Sequence, residues 1–399
     1  MTIQMGLPFP QDAAQAGMQE SRALAAKHSR RNTFRTWDTP HEAMSKVPRE
    51  WRIQSSLTQN VPDDLAPFVE WFYNQPEARE RFRWALRDSL DELLDGQRTG
   101  RWAYQHLTKT EKTYLGTAVE VNLTKEFAID NGTDLDWSIA GLDIDCKFSK
   151  DLGGWEIPME MYLCTDHGER GGRANHAAVV TWMNDDTSQW AAGMVRITDE
   201  RLRWKKDRDA NGDRVRAYNR DNKRKLSDGA KSEVYWLWGG LQRDLPTNLL
   251  RHLDPKARER ILTASLPRRR TSGQQRVNQL FREVQDRLVG RQTVLTVGQQ
   301  DDAPKRARDA RIALRPKGIV VLGHQNSHPY VAHALGLPVP IKGEWISTLL
   351  VPVSSDDARP KFSLDGQFWG RAREEELSDP EPVPAPDLHD KLKIDGQPA

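Results

Sequence analysis

Asp136, Asp145 and Lys147 are residues whose types and spacing suit phosphodiester chemistry. They stand in Asp136-Trp-Ser-Ile-Ala-Gly-Leu-Asp-Ile-Asp-Cys-Lys147, the second half of which reads as a strand. Alternate side chains of a strand share a face, so Asp145 and Lys147 point one way while Ile144, Cys146 and Phe148 point towards a core. Asp136 precedes the hairpin and can swing beside Asp145. Two carboxylates placed like this hold Mg²⁺, and the lysine steadies the attacking water or the charge developing at phosphorus. Glu120, in Val119-Glu-Val-Asn122, sits on the preceding helix and off its apolar stripe, which permits it to face the same site. Asp-x-Lys alone is common on solvated strands. Its weight here comes from Asp136 upstream, the acidic helix residue and a basic region downstream.

The elements that must position these residues follow from periodicity. A helix is predicted over Pro76–Leu94, with Phe82, Leu86, Leu90 and Leu93 at helical spacing and Gly96 at the C-terminal left-handed position. A second covers about Lys109–Phe127, with Leu115, Ala118, Val119, Leu123 and Phe127 on or near one stripe. Ile139–Leu142 and Ile144–Phe148 read as a hairpin or meander, and Ala177–Trp182 and Trp190–Ile197 as further strands around the turn-rich 184–188. Helix followed by strands implies an α/β or α+β layer. Trp102, Trp137, Trp155 and Trp182 are expected in its core.

Downstream, Arg201–Asp228 is charged and nearly without aliphatics, so it is either an exposed loop or a nucleic-acid contact. The glycines and proline of 238–247 look like a linker, with Trp236 and Trp238 pinning the junction. Then come an amphipathic helix Gln274–Val289, a short connection Gly290–Val297, a basic helix Gln299–Arg311 with Lys305, Arg306, Arg308 and Arg311, and a strand Gly318–Leu322. That order fits a winged helix-turn-helix module whose basic helix enters a major groove. The expected organisation is an extended arm over 1–60 with one short helix (MQESRALAAKH), a catalytic domain over 61–237, a linker over 238–247, a DNA-binding domain over 248–373 and an acidic, Pro-rich disordered tail over 374–399.

Composition narrows the class. The 399 residues carry 59 basic against 57 acidic side chains, a net charge of +2, with a mean hydropathy of -0.75. Two cysteines, Cys146 and Cys164, exclude a disulfide scaffold and any four-cysteine zinc site. No apolar run approaches the ~20 residues of a membrane span, and the start lacks the pattern of a signal peptide, so a cytoplasmic protein with no membrane partner is expected. The near-zero net charge hides local excesses: 17 basic against 7 acidic residues over 248–320, and 11 against 4 over 201–225, masked by 2 against 8 over 374–399. Basic blocks on an ordered domain suit a polyanion such as double-stranded DNA.

The segments Asp95-Gly-Gln-Arg-Thr-Gly-Arg-Trp102, Leu107-Thr-Lys-Thr-Glu-Lys-Thr113, Gly116-Thr-Ala-Val-Glu120 and Asp145-Cys-Lys-Phe-Ser149 closely resemble the NaeI family of type II restriction endonucleases. The likeness continues through Ala191–Val195, Arg276–Phe281, Gln299–Asp302, Leu314–Ile319 and Leu335–Pro340, collinear over roughly 62–372. It implies a PD-(D/E)xK endonuclease domain followed by a winged helix-turn-helix domain similar to that of the catabolite activator protein. It implies a Mg²⁺-dependent homodimer that binds two copies of a short, GC-rich palindromic site, one cleaved and one acting as allosteric effector, with a cognate DNA methyltransferase as functional partner. Carried over residue by residue, Glu120, Asp136, Asp145 and Lys147 form the catalytic set, the first three as metal ligands. Arg98, Arg101, Lys109 and Lys112 are expected DNA contacts beside Lys305, Arg306, Arg308 and Arg311. Leu135 stands where the broader superfamily often has proline. The sixty-residue arm is foreign to the family pattern, and the 201–225 block is longer and more basic than that pattern.

Other readings compete. Leu93-Leu-Asp-Gly resembles the Lys-x-Asp-Gly adenylation motif of ligases, but leucine stands in place of the nucleophilic lysine. Tyr104 and Tyr114 are phenols of the kind a strand-passage enzyme uses. A catalytically silent DNA-binding protein is the second class, against which the complete catalytic set argues. His324 and His328 have metal-ligand spacing without cysteine or carboxylate companions.

Overall fold

The computed structural model describes residues 59–163, 176–264, 273–376 and 382–388. The expected arm up to residue 58, with its short helix, and Cys164 lie outside the described residues; Gln59, near the arm's end, donates to the Val234 carbonyl at 3.2 Å and accepts from the Trp236 amide at 3.3 Å. The described chain divides into two units of mixed α/β structure. The first comprises 59–94 and 103–251, the second 95–102 and 252 onward.

In the first unit, helices α1 (Ala66–Asn74), α2 (Ala78–Leu94) and α3 (Lys109–Phe127) accompany β1 (Asp130–Asn131), β2 (Trp137–Ile139), β3 (Leu142–Ser149), β4 (Glu156–Ile157), β5 (Ala177–Asn184) and β6 (Gln189–Arg196). β7 (Trp204–Arg208), β8 (Arg214–Arg216), β9 (Arg224–Lys225) and β10 (Tyr235–Trp236) follow. The main sheet runs β1-β2-β3-β5-β6-β10, antiparallel throughout except for the parallel β3–β5 pair. β5 is buried along its whole length because both faces are covered. Ala177, Val179 and Met183 pack with Phe72, Phe82, Leu86, Leu115 and Val119 from the helices, whereas Ala178, Val180 and Trp182 pack with Trp155, Ile157 and Trp236. Trp137, Trp155 and Trp182 are each 1% exposed, as expected; Trp102 is equally buried but belongs to the second unit, where the Arg258 guanidinium carbon lies 4.7 Å from its ring centroid.

The predicted helix over Lys109–Phe127 is observed with those bounds, opened by a capping box in which Thr108 Oγ1 accepts from the Glu111 amide and Glu111 from that of Thr108. The helix predicted from Pro76 starts at Ala78, and Gly96 is not its cap. Asp95 takes the left-handed conformation (φ 45°), and Gly96 opens a single turn, Gly96–Thr99, in the second unit. A β-carbon on Gly96 would lie 2.4 Å from Thr296 Oγ1, so close approach is what demands glycine there.

The expected linker 238–247 is part of the first unit. Gln242 and Trp190 exchange backbone hydrogen bonds (2.9 and 3.1 Å), Leu245 is buried, and Asp244 accepts from Arg79 Nη2 at 2.8 Å and Trp190 Nε1 at 3.1 Å. Its glycines and proline shape a bend, while its apolar and charged side chains hold the bend to the core.

The second unit holds α4 (Pro255–Thr263), α5 (Gly273–Glu283), β11 (Leu288–Gly290), α6 (Arg291–Gly298), α7 (Ala303–Leu314), β12 (Ile319–Leu322), α8 (His328–Ala334), β13 (Glu344–Val353), β14 (Lys361–Leu364) and β15 (Gln367–Arg371). The amphipathic helix stops at Glu283 rather than Val289, because Leu288–Gly290 pairs with β13. The expected connection 290–297 is mostly helix α6. The basic helix begins at Ala303 rather than Gln299: Gln299 ends α6 in a left-handed conformation (φ 48°), Asp302 accepts from the Lys305 amide, and a proline occupies the first turn.

The tail expectation also needs correction. Ala385 and Leu388 are buried, the Ala385 amide donates to the Arg315 carbonyl at 2.9 Å, and Arg315 Nε donates back to the Ala385 carbonyl at 3.0 Å. Small apolar residues between the prolines fit a core groove that composition does not reveal; the rest of the tail beyond 388 lies outside the described residues.

Candidate active site

Local backbone geometry sets the site. Ala140 and Gly141 both have positive φ (54° and 75°) and join β2 to β3 in a two-residue turn that pairs Ile139 with Leu142. With that register Ile144 and Cys146 face the core, and Asp143, Asp145 and Lys147 share the other face. The loop before β2 is shaped by Asp143, whose carboxylate accepts from the amides of Thr133 (3.1 Å), Asp134 (2.7 Å) and Leu135 (3.3 Å). Trp137 Nε1 donates to Thr124 Oγ1 at 2.7 Å, and Thr124 Oγ1 donates to the Glu120 carbonyl at 2.8 Å, tying the loop's exit to the helix that carries Glu120. Sequence reasoning missed Asp143 and Thr124; the i, i+2, i+4 spacing of Asp143, Asp145 and Lys147 was the available signal.

Lys147 Nζ lies 2.5 Å from Asp145 Oδ2 and 3.8 Å from Asp136 Oδ2. The Cys146 amide donates to Asp136 Oδ2 at 3.0 Å and to Asp145 Oδ1 at 3.1 Å, so one N–H bridges the two carboxylates. Burial, then the hydrogen bond with Asp136, pushes the Asp145 carboxyl up to about 8. Burial also raises Asp136, but the hydrogen bond from Asp145, the Cys146 amide and Lys147 outweigh it and hold Asp136 below the ordinary value. The pair therefore shares one proton, as crowded carboxylates do. Burial lowers Lys147, but Asp145 and Asp136 more than compensate, so it stays charged. Glu120 is raised by burial and then by the charge of Asp136, with Lys147 opposing. The structure thus joins Asp136, Asp145 and Lys147 directly and brings Glu120 within electrostatic reach. The Cys146 thiol is buried and pushed up by desolvation, hence inert.

Among the described residues no three His, Cys, Asp or Glu side chains are gathered closely enough to hold an ion unaided. Mg²⁺ keeps several waters and takes one or two carboxylates beside substrate phosphate, so a pair of hard oxygen donors crowded into sharing a proton fits it.

The expected DNA contacts divide. Arg98 is exposed and paired with Asp95 Oδ2 at 2.7 Å. Arg101 is 8% exposed, with its Nε on Thr99 Oγ1 at 3.3 Å, so it is held inside the second unit. Lys109 is exposed at the start of α3, and Lys112 Nζ lies 5.2 Å from the Tyr104 ring centroid. On α7, Lys305 and Arg308 are exposed. Arg306 Nη1 turns back to Gln274 Oε1 at 3.2 Å, and Arg311 Nε donates to the Val321 carbonyl at 2.9 Å, so these two brace the unit. His328 is buried, accepting from the Gly323 amide at 3.1 Å, and its environment is structural.

Comparison with known proteins gives first the class, a restriction endonuclease. The family model for restriction endonuclease NaeI matches residues 72–380. The type II restriction enzyme NaeI of Lentzea aerocolonigenes is 40% identical over 316 residues, covering 78% of this chain and 90% of that protein. The chain belongs to the NaeI restriction endonuclease family and is a type II site-specific deoxyribonuclease.

Proposed function

We propose that the first unit is a PD-(D/E)xK nuclease domain hydrolysing both strands of DNA, with Asp136, Asp145 and Glu120 as the Mg²⁺-holding set and Lys147 as the cation beside the reacting phosphate. The observation that carries this is the placement of Lys147 Nζ within 4 Å of both aspartates, at 2.5 and 3.8 Å. When bound, Mg²⁺ supplies positive charge against the phosphate oxygens and lowers the pKa of water. Asp136 and Asp145 would hold it through their carboxylate oxygens. The bridging Cys146 amide fixes both carboxylates, and Lys147, kept charged by them, stabilises negative charge developing on the phosphate.

The second unit is proposed as a winged helix-turn-helix module of the catabolite-activator kind. Its α6–turn–α7 segment is followed by strands, α7 presents Lys305 and Arg308, and β14–β15 supplies the wing. A cytoplasmic homodimer reading a short GC-rich palindrome, with a second DNA site as effector and a cognate methyltransferase protecting the host, completes the proposal. No helix among the described residues is long and apolar enough to cross a membrane. The test is incubation with unmethylated plasmid and phage DNA, with Mg²⁺ and with EDTA. Discrete fragments only with Mg²⁺ are expected; intact DNA in both, with mobility shifts at low salt, would leave a binding protein.

A further inference from the structure

The 201–225 block folds into something its composition does not announce. β7 and β8 form an antiparallel ribbon with Trp204 opposite Arg216 and Arg208 opposite Arg214, and an irregularity between the two pairs. Its tip is closed internally: Asp209 Oδ1 accepts from the Asn211 and Asp213 amides at 2.9 and 2.8 Å, and Gly212 takes φ 82°. That acidic side chain is committed to the turn.

Directly paired positions share a face, so Trp204, Arg208, Arg214 and Arg216 form one cationic and aromatic surface. Its root is anchored. Asp199 accepts from Arg216 Nη2 at 2.8 Å and also from Arg224, whose side chain is fully buried. The guanidinium carbons of Arg214, Arg224 and Arg216 lie 4.0, 4.8 and 5.5 Å from the Trp204 ring centroid. Towards the tip, Arg208 is paired in register with Arg214; Arg208 Nη1 donates to the Gly212 carbonyl at 2.6 Å, while the Arg214 guanidinium stacks on Trp204. Lys205 and Lys206 are exposed, and neither has an acidic partner within 4 Å among the described residues. Exposed Lys205, Lys206, Arg208 and Arg214 leave this end of the ribbon positively charged and open to an anion.

We infer that the β7–β8 ribbon is a DNA-binding arm of the first unit, with Arg208 and Arg214 straddling a backbone phosphate of duplex DNA and Lys205 and Lys206 contacting its neighbours. This rests on the nuclease reading, which makes duplex DNA the polyanion at hand, and ribbons of this kind are established DNA-contacting elements.

The test measures binding of a labelled duplex by the full chain in EDTA between ~50 and ~200 mM salt, for wild type and for the pairs R208Q/R214Q and K205Q/K206Q. Each neutralised phosphate contributes about 0.9 to the slope of log K against log salt, so K205Q/K206Q should flatten it by about 1.8 and R208Q/R214Q, whose arginines share one phosphate, by about 0.9; across that range affinity should fall roughly tenfold and roughly threefold less, respectively, than in wild type. Cognate and unrelated duplexes should weaken alike, since phosphate contacts carry no sequence information. R208K/R214K, which keeps the charge, should retain the wild-type slope. Wild-type slopes and affinities in both glutamine pairs would overturn the arm, whatever the cleavage result. Failure of wild type to cut with Mg²⁺ would instead remove the nuclease reading, while the slopes would still report the DNA contact.

Discussion

Lys147 contacts both aspartates and holds its charge because they surround it. Lys147→Ala should reduce cleavage by about 10²–10³-fold or more, the scale of losing one preorganised charge-stabilising group. DNA binding in EDTA should stay near the wild-type level; loss of binding instead would make the lysine a DNA contact or a structural residue. Asp143 acts one step further back, through the three amides that shape the loop before Asp136. Asp143→Ala should cost about 1 kcal/mol of stability in denaturant titration, since the largely exposed amides it holds can turn to water. It should also lower kcat more than it changes DNA affinity. Unchanged kcat in a folded variant would mean that Asp136 does not depend on this loop.

At the scale of elements, the site depends on a sheet whose strands approach neighbouring chain closely. A β-carbon on Gly193 of β6 would lie 2.7 Å from Val234 Cγ1, 2.8 Å from the Tyr235 carbonyl oxygen and 2.9 Å from Trp236 Cε3. Gly193→Ala must therefore push β10 away from β6, at a cost of about 1–3 kcal/mol. A melting temperature equal to wild type would show that β10 yields freely. The capping box of α3 is smaller in effect: Thr108→Ala should cost about 1 kcal/mol, since both Thr108 and Glu111 satisfy terminal amides there. Glycine roles were hard to read from sequence for a related reason. Gly96 resembles a helix cap by position, but the crowding that requires it comes from Thr296, two hundred residues away.

For the molecule as a whole, acid stability follows from buried and paired aspartates. Burial raises Asp185, but Lys150 at 3.1 Å, the Tyr104 amide at 3.1 Å and nearby arginines outweigh it, leaving Asp185 below the ordinary 3.8. Asp244 is likewise held down by Arg79, Trp190 and Arg83 against its burial. A carboxylate lowered on folding stabilises the native state above its unfolded value, and that stabilisation disappears as pH falls through the folded value. Stability should therefore fall steeply below about pH 4, and Asp185→Asn should lower the melting temperature at pH 7 while flattening the acid limb. An acid limb of wild-type steepness in that variant would assign the loss to other groups.

What the sequence by itself determined is what local periodicity and residue chemistry encode: α3 with its stripe, the strands around Asp145 and Lys147, the candidate set Glu120, Asp136, Asp145 and Lys147, and the likeness to a restriction endonuclease family. Tertiary structure alone decided the rest. The opposite shifts of Asp136 and Asp145 arise from burial and from their interaction with each other, with the Cys146 amide helping to hold Asp136 down. The incorporation of 238–247, the burial of Ala385 and Leu388, the inward turn of Arg101, Arg306 and Arg311, and the ribbon within 201–225 all depend on partners distant in sequence. Charge and proline content describe how a segment meets water; whether a particular groove or carboxylate is waiting for it is settled only when the chain has folded.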